Sequence, residues 1–223
     1  MHQKKSRKIL IYFLLLVLVC SISNERLNNI KFSNISDVEI LGLGDESNST
    51  LIENIYNLNL GNILFVNKKK IQQTIELNSL VEKYNVFKIY PSSLYIEIQK
   101  TKFLAKVNYN GVNYIIGSNG KFSKDEFDQK QLPFIFGNPN IKEFLKLKEI
   151  IDNSKFDYKD IENFYYFTNG RWDLELTNEI IIKLPKKNSK KSLELAFDFL
   201  KIADSGKIRF IDLRVNNQII LND

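Results

Sequence analysis

The chain has 223 residues, of which 43% are hydrophobic and 26% charged, and its formal net charge is +6. This composition excludes an intrinsically disordered chain, because it supplies enough apolar side chains for a core in one or two small domains. Four of the six net charges are supplied by Lys4, Lys5, Arg7 and Lys8. The rest of the chain is nearly balanced, so the basic pI gives no support for nucleic-acid binding.

An almost wholly apolar segment, residues 9–23, follows the basic residues. This pattern predicts a transmembrane helix, although a span usually needs about 20 residues, so the flanks must extend it. A cleaved signal peptide is the alternative, because Ser21 and Ser23 are small enough for a signal peptidase. We favour an anchor with residues 1–8 in the cytoplasm and the chain after residue 24 outside it.

The positions of cysteine and histidine exclude several kinds of active site. The single cysteine, Cys20, lies in the apolar segment, and the single histidine, His2, precedes it. The exported region therefore has no internal disulfide, cysteine nucleophile, Ser-His pair or zinc site of thiolate or imidazole ligands. Asp125, Glu126 and Asp128 form the densest acidic cluster, but the adjacent lysines favour an exposed loop. We expect no catalytic residue, metal, cofactor or small-molecule substrate.

The segment after the apolar run predicts a linker and then a strand followed by two helices. Residues 24–35 have no sustained hydrophobic period and predict the linker. A strand is predicted at residues 38–43, and residues 48–50 offer N-caps for the first helix. Gly61 breaks this helix, and a second helix is predicted to start near Asn67.

Two strands complete this first domain. Residues 80–90 are strand-like and end in Tyr90-Pro91, which predicts a turn. Leu94, Ile96 and Ile98 then alternate with polar residues, which is the period of a half-buried strand. The predicted order over residues 36–103 is therefore strand, helix, helix, strand, strand.

From residue 104 onward the pattern changes to short strands separated by turn residues. Hairpins are predicted at Asn110-Gly111 and at Thr168-Asn169-Gly170, because asparagine and glycine tolerate positive φ. Helical spacing predicts amphipathic helices at residues 141–151 and 189–203, the second one stopped by Gly206. The chain ends in two predicted strands, residues 208–215 and 218–221.

Three motifs in their order along the chain resemble the FtsQ/DivIB family of bacterial cell-division proteins. They are Tyr90-Pro91 before alternating apolar residues, Arg171-Trp172-Asp173-Leu174 leading to Leu184-Pro185, and Ile211-Asp212-Leu213-Arg214. The resemblance implies an α+β protein with a transmembrane helix at 9–23 and a POTRA domain (β-α-α-β-β) at 36–103. It also implies a mixed β-domain of antiparallel strands with packed helices at 104–223.

The resemblance also implies a function. Members of the family are non-enzymatic scaffolds of the inner membrane, with a cytoplasmic N-terminus, a single type II span and periplasmic domains at the division septum. The implied partners are FtsB and FtsL, together with other divisome proteins. Binding them links early and late division proteins and helps control septal peptidoglycan synthesis.

The last predicted strand suggests how a partner binds. Residues 218–221 are apolar and lack the charges that normally guard an exposed sheet edge, which indicates β-augmentation by another chain. The alternative is that the terminus pairs internally and is covered. By position, the resemblance places the FtsB contact at Arg214, Val215, Asn216 and Asn217, and we add Ile219 from the edge strand.

Arg171 is a further candidate for the same interface. The five donors of a guanidinium suit recognition of a partner's carboxylate or backbone carbonyl. The alternative is that Arg171 pairs with a nearby carboxylate of its own chain.

Two other functions remain open from the sequence. The first is a POTRA-containing envelope export or assembly protein that binds client β-strands. The second is an exported enzyme that uses carboxylates to act on the cell wall, with Asp125, Asp128, Asp173 and Asp212 as the positions to test.

Overall fold

The structure is a computed structural model. It describes residues 3–22, 33–124, 132–203, 208–215 and 218–221. The chain divides into two compact units, one formed by Met1–Leu77 with Tyr84–Gln99 and the other by Asn78–Lys83 with Lys100–Asp223.

The first element is helix α1, Gln3–Ile22. Its large apolar side chains from residue 9 to residue 19 are all exposed, with 68% of Ile9 and 60% of Val19 accessible to solvent. None of the helices in the described part of the chain is long and apolar enough to cross a membrane. The transmembrane helix at 9–23 therefore stays a prediction.

The order strand, helix, helix, strand, strand is confirmed. The elements are β1 Asp37–Leu41, α2 Asp45–Tyr56, α3 Lys68–Leu77, β2 Val81–Ile89 and β3 Ser93–Lys100. The strands form a sheet in the order β1-β3-β2, in which β1 runs parallel to β3. Alternate residues of β1 and β3 are buried, with the helices supplying the other half of the core.

Helix α2 begins at Asp45, three residues before the first predicted N-cap, Asn48. The predicted N-caps Asn48, Ser49 and Thr50 therefore lie inside the helix, where the Ser49 hydroxyl donates to the carbonyl of Asp45 at 2.8 Å. Gly44 precedes the helix with φ +101°, which glycine adopts at low cost. The carboxylate of Asp45 also complements the positive end of the helix dipole, so the earlier start is favoured.

The second unit is built on a nine-stranded sheet. Its strands are β4 Phe103–Tyr109, β5 Val112–Gly117, β6 Phe122–Lys124, β7 Phe134–Phe136, β8 Ile161–Tyr166, β9 Trp172–Leu176, β10 Ile181–Lys183, β11 Phe210–Asp212 and β12 Ile220–Leu221. The spatial order is β12-β11-β10-β9-β8-β7-β4-β5-β6. Among the described residues, β12 and β6 are therefore the two edges.

The sequence predicts antiparallel strands in this sheet, but three of the pairs are parallel. The pairs β4/β7, β7/β8 and β10/β11 are parallel. Parallel neighbours need a crossover connection, and helices α4, Ile141–Asp152, and α5, Ser189–Leu200, provide two of them. The sequence pattern predicts the two helices, but it does not predict that the strands joined by each helix are parallel.

Both helices pack on the same hydrophobic core of the second unit. The core contains Phe144 and Leu147 of α4, Leu193 and Ala196 of α5, and the sheet residues Phe164, Trp172, Ile182 and Ile211. Helix α5 ends at Leu200 rather than at residue 203, and the predicted stop at Gly206 lies outside the described residues. The two terminal strands are shorter than predicted, because only residues 210–212 and 220–221 pair.

A half-buried amide of the second unit, that of Asn119, bonds to the backbone at the start of β2. Asn119 donates from Nδ2 to the carbonyl oxygens of Ser79 at 2.8 Å and Val81 at 2.9 Å. Its Oδ1 accepts from the backbone N–H of Lys121 at 3.0 Å. One side chain therefore satisfies three backbone groups.

Replacing this amide should destabilise the protein. We expect Asn119→Ala to lower the free energy of unfolding by about 2 kcal/mol, because it leaves two carbonyls and one N–H without their partner. Asn113→Ala is the matched control, since Asn113 makes an exposed bond to Asn108 and should cost less than about 0.5 kcal/mol. Equal losses in denaturant unfolding of the two variants would contradict this account.

Candidate functional site

Strand β12 is the last strand of the sheet and lies at its edge. It pairs antiparallel with β11, with Ile211 opposite Leu221 and Asp212 opposite Ile220. Ile220 is 45% exposed and Leu221 is 41% exposed. No described strand pairs with the outer side of β12, so its backbone groups face outward without a charged side chain to protect them.

Arg214 binds a carboxylate two residues earlier in its own chain. Its Nε donates to both oxygens of Asp212, at 2.8 and 2.9 Å, and its Nη2 makes a further contact with the same carboxylate. The backbone N–H of Arg214 donates to Asp212 Oδ1 at 3.0 Å. These bonds hold the pKa of Asp212 below its ordinary value although the residue is buried.

Arg171 makes the equivalent pair at the start of β9. Its Nε and Nη2 donate to the two oxygens of Asp173 at 3.2 and 3.4 Å. The guanidinium also lies 4.0 Å from the ring centre of Phe167. Burial raises the pKa of Asp173, because the loss of hydration outweighs the attraction of Arg171 and of the other nearby cations. The bonds to Asp173 show that Arg171 pairs with a carboxylate of its own chain, which is the second of the two alternatives for this residue.

Lys183 of β10 lies between the two carboxylates. It is the cross-strand neighbour of Asp173 on one side and of Asp212 on the other. Its Nζ lies 3.7 Å from the ring centre of Phe210. We call these five residues, Arg171, Asp173, Lys183, Asp212 and Arg214, the ionic row. It contains three cations and two carboxylates, so its formal charge is +1.

A small cavity lies between helix α5 and the last residues of the chain. Its volume is about 200 Å³, and its lining includes Lys191, Leu195, Leu213, Val215 and Gln218. The cavity is therefore smaller than a typical small-molecule site, which begins at roughly 300 Å³.

The structure places three of the six predicted site residues, Arg214, Val215 and Ile219, at or beside this edge, whereas Arg171 precedes β9, three strands away. Val215 is 47% exposed and lines the cavity, whereas Ile219 is half-buried and packs against the core. Arg171 and Arg214 lie at the two ends of the ionic row. Asn216 and Asn217 lie outside the described residues.

Sequence reasoning missed the role of three members of the row. The sequence presents Asp173 and Asp212 as members of two motifs and as test positions for a carboxylate enzyme, whereas in the structure each is bound to an arginine two residues away. The spacing of two residues on a strand was a usable signal, because such side chains share a face. Lys183 gave no such signal, since its position depends on the order of β9, β10 and β11.

Removing Arg214 should shift the titration of Asp212. A carboxyl whose pKa is lowered in the folded state stabilises the protein above its ordinary pKa, and this contribution disappears as the pH falls through the lowered value. We expect Arg214→Gln to raise the pKa of Asp212, measured by carboxyl carbon NMR, and to reduce stability more at neutral pH than in acid. Arg209→Gln removes the same charge from an exposed position and is the control. An unchanged pKa in Arg214→Gln would contradict the assignment.

Comparisons with known proteins place the chain in a family. Residues 33–100 match the model of the FtsQ-type POTRA domain, and residues 105–214 match that of the C-terminal domain of cell division protein FtsQ/DivIB. No curated protein sequence gave a significant match.

A solved structure also matched. It is the major extracytoplasmic domain of the trans isomer of the bacterial cell division protein DivIB from Geobacillus stearothermophilus, with 11% identity and a TM-score of 0.32. The match covers 42% of this chain and 85% of that chain. The two family models together match most of the chain, which therefore belongs to the FtsQ/DivIB family of cell division proteins.

Proposed function

We propose that this protein is a non-enzymatic scaffold of the divisome that binds FtsB, and with it FtsL, at the β12 edge. By this binding it links early and late division proteins and helps control septal peptidoglycan synthesis. Membership of the family implies a role in cell division. The observation that best supports binding of FtsB at this edge is the unguarded strand β12 beside the positively charged ionic row.

A strand of the partner would extend the sheet beyond β12. The backbone N–H and C=O groups on the outer side of an edge strand can bond to an added strand, which supplies affinity regardless of sequence. Ile220 and Leu221 are exposed and apolar, so the added strand would also cover apolar surface.

The two faces of the edge would select the side chains of that strand. Ile220 pairs with Asp212 and so lies on the face of the ionic row, whereas Leu221 pairs with the buried Ile211 and lies on the face of the core. The cavity beside Val215 is on the core side, next to α5. A strand with acidic residues on one face and an apolar residue on the other would therefore fit.

The pairing of Arg171 and Arg214 within the chain is compatible with this role. A guanidinium has five N–H donors, and the bond to one carboxylate leaves others for a partner. The Arg214 side chain is 46% exposed and that of Arg171 is 20% exposed. We propose Arg214 as the main charged contact, followed by Val215, Asn216 and Asn217, with Ile219 and Arg171 beside them.

We also propose the remaining organisation of the chain. The POTRA domain would span residues 36–103 and the β-domain residues 104–223, behind a linker at 24–35. Residues 9–23 would anchor the protein in the inner membrane at the septum, with residues 1–8 in the cytoplasm and the domains in the periplasm. The exposed apolar side chains of α1 and the basic residues before them support the anchor.

Binding of client strands by the first unit is a second candidate function. A groove of about 460 Å³ lies between helix α3 and β2, lined by Ile71, Tyr84, Val86 and Leu94. Strand β2 is also an edge of its sheet among the described residues. The match of residues 105–214 to the division family favours the scaffold over an export protein.

Loss of β12 should abolish partner binding. We expect the full-length chain to bind a purified FtsB–FtsL pair, and the chain truncated after Asn217 to lose that binding, because the edge and its exposed backbone groups are gone. A chain truncated after Leu221 is the control and should bind normally. Absence of binding by the intact chain, or equal binding after truncation at Asn217, would contradict the proposal.

Point variants test the same edge without removing a strand. We expect Val215→Asp to weaken binding at least tenfold, since it places a carboxylate in the cavity. Val112→Asp is the matched control, because Val112 is 45% exposed and lies in the β4–β5 hairpin. Isothermal titration calorimetry should show normal affinity for the control. Equal affinities of the two variants would argue against a contact at Val215.

Deletion of the apolar segment tests the anchor. We expect the full chain to sediment with membranes and to resist carbonate extraction, and a chain lacking residues 1–23 to be released, because its apolar helix is gone. Recovery of a mature chain that begins near residue 24 would instead support the signal-peptide alternative.

A further inference from the structure

The three-stranded sheet of the first unit has one covered and one open face. Val38, Ile40, Leu94, Ile96 and Ile98 point to the helices and are at most 5% exposed. The residues between them point to the other side, which the described residues leave open. This open face is not part of the terminal edge, which belongs to the second unit.

The open face exposes large apolar side chains. Leu41 and Phe87 are each 47% exposed, and Ile89 is 51% exposed. The ring centres of Phe87 and Tyr95 are 6.0 Å apart, with the ring planes inclined by 35°. An aromatic pair therefore bridges neighbouring strands β2 and β3 near the middle of the face.

Three carboxylates lie on strands β1 and β3 beside the aromatic pair. Glu39 is the cross-strand neighbour of Tyr95, and Glu97 is the neighbour of Leu41. Asp37 lies two residues before Glu39 on the same side of β1, and all three acidic residues are exposed. They lie next to the rings on two adjacent strands.

The lysines of β2 do not balance these carboxylates on the open face. Lys88 of β2 points to the other side, where its Nζ donates to the carbonyl of Ile63 at 2.7 Å. Lys83 lies on the same side of β2 as Phe87, four residues earlier, so one lysine stands against three carboxylates. The face is thus acidic in a chain whose net charge is +6.

We infer that this face binds a cationic segment of a partner protein, with a lysine or arginine side chain over the Phe87–Tyr95 pair. Cations bind favourably over aromatic faces, and Glu39 and Glu97 would form charge-assisted hydrogen bonds to the same group. Leu41 and Ile89 would pack against the aliphatic stems of lysine or arginine. Exposed ion pairs are individually weak, so the combination with apolar contact is essential.

The inference goes beyond the proposed scaffold function, and the two can fail independently. It concerns a different unit and a different chemistry from the binding of FtsB at β12. Variants of the open face should bind FtsB–FtsL normally, and the chain truncated after Asn217 should bind the cationic peptide normally.

The test uses a fluorescent hexa-arginine peptide and the full-length chain in a neutral detergent. We expect anisotropy to show binding that weakens with salt, and that the double variant Glu39→Gln, Glu97→Gln weakens at least tenfold. Tyr95→Ala should also weaken binding, while Tyr95→Phe should retain it, because the ring is kept. The control Glu46→Gln, Glu53→Gln neutralises two exposed carboxylates on helix α2 and should bind the peptide normally.

Three results would overturn the inference. The first is equal affinity of the two double variants, which would mean that only the total charge matters. The second is unchanged affinity in Tyr95→Ala. The third is concentration-dependent self-association of the chain that the Glu39, Glu97 double variant abolishes, because the occupant of the face would then be a second copy.

Discussion

The parallel pairing of β10 with β11 determines how the second unit ends. Helix α5 connects these strands and buries Leu193 and Ala196 in the core. Strand β11 therefore runs parallel to β10 and lies on the side of β10 away from β9. Among the described strands, β12 then pairs with β11 alone and becomes an edge of the sheet. The same pairing places Asp212 beside Lys183. The open edge and the ionic row therefore both depend on one crossover.

The ionic row shows how burial and hydrogen bonding compete within a few ångströms. Asp212 accepts several bonds from Arg214, which outweigh its burial and lower its pKa. Asp173 has longer bonds to Arg171, and here burial dominates and raises the pKa. An ion pair that is partly buried is costly to desolvate, so the row is weak evidence for stability. We propose that its surplus positive charge serves recognition of an acidic partner.

Local sequence signals predicted the fold where a short segment decides its own structure. Asn110 and Gly111 adopt the positive φ of the predicted hairpin, and the Asn67 side chain caps helix α3 by accepting from the N–H of Lys69 at 3.1 Å. The predicted start of α2 was wrong, because Gly44 and Asp45 provide a better helix N-terminus than Ser49 and Thr50. Each of these outcomes depends on a few neighbouring residues.

Features that depend on the order of strands could not be predicted from local sequence signals. The apolar character of residues 218–221 suggested an edge, but the parallel pairs arise from long-range contacts that no local pattern encodes. The sequence predicts Arg171 and Arg214 as contact residues, whereas Lys183 joins the ionic row only through its neighbours on β9 and β11. Predicting a site that spans strands requires the topology first.

Hydrogen–deuterium exchange of the full-length chain, with and without the FtsB–FtsL pair, tests the central claim most directly. If a partner strand adds to β12, the backbone amides of residues 218–221 should exchange more slowly in the complex, while those of β6 at the opposite edge should not change. Binding without slower exchange at residues 218–221, or with protection at β6 instead, would contradict the assignment of the β12 edge as the interface.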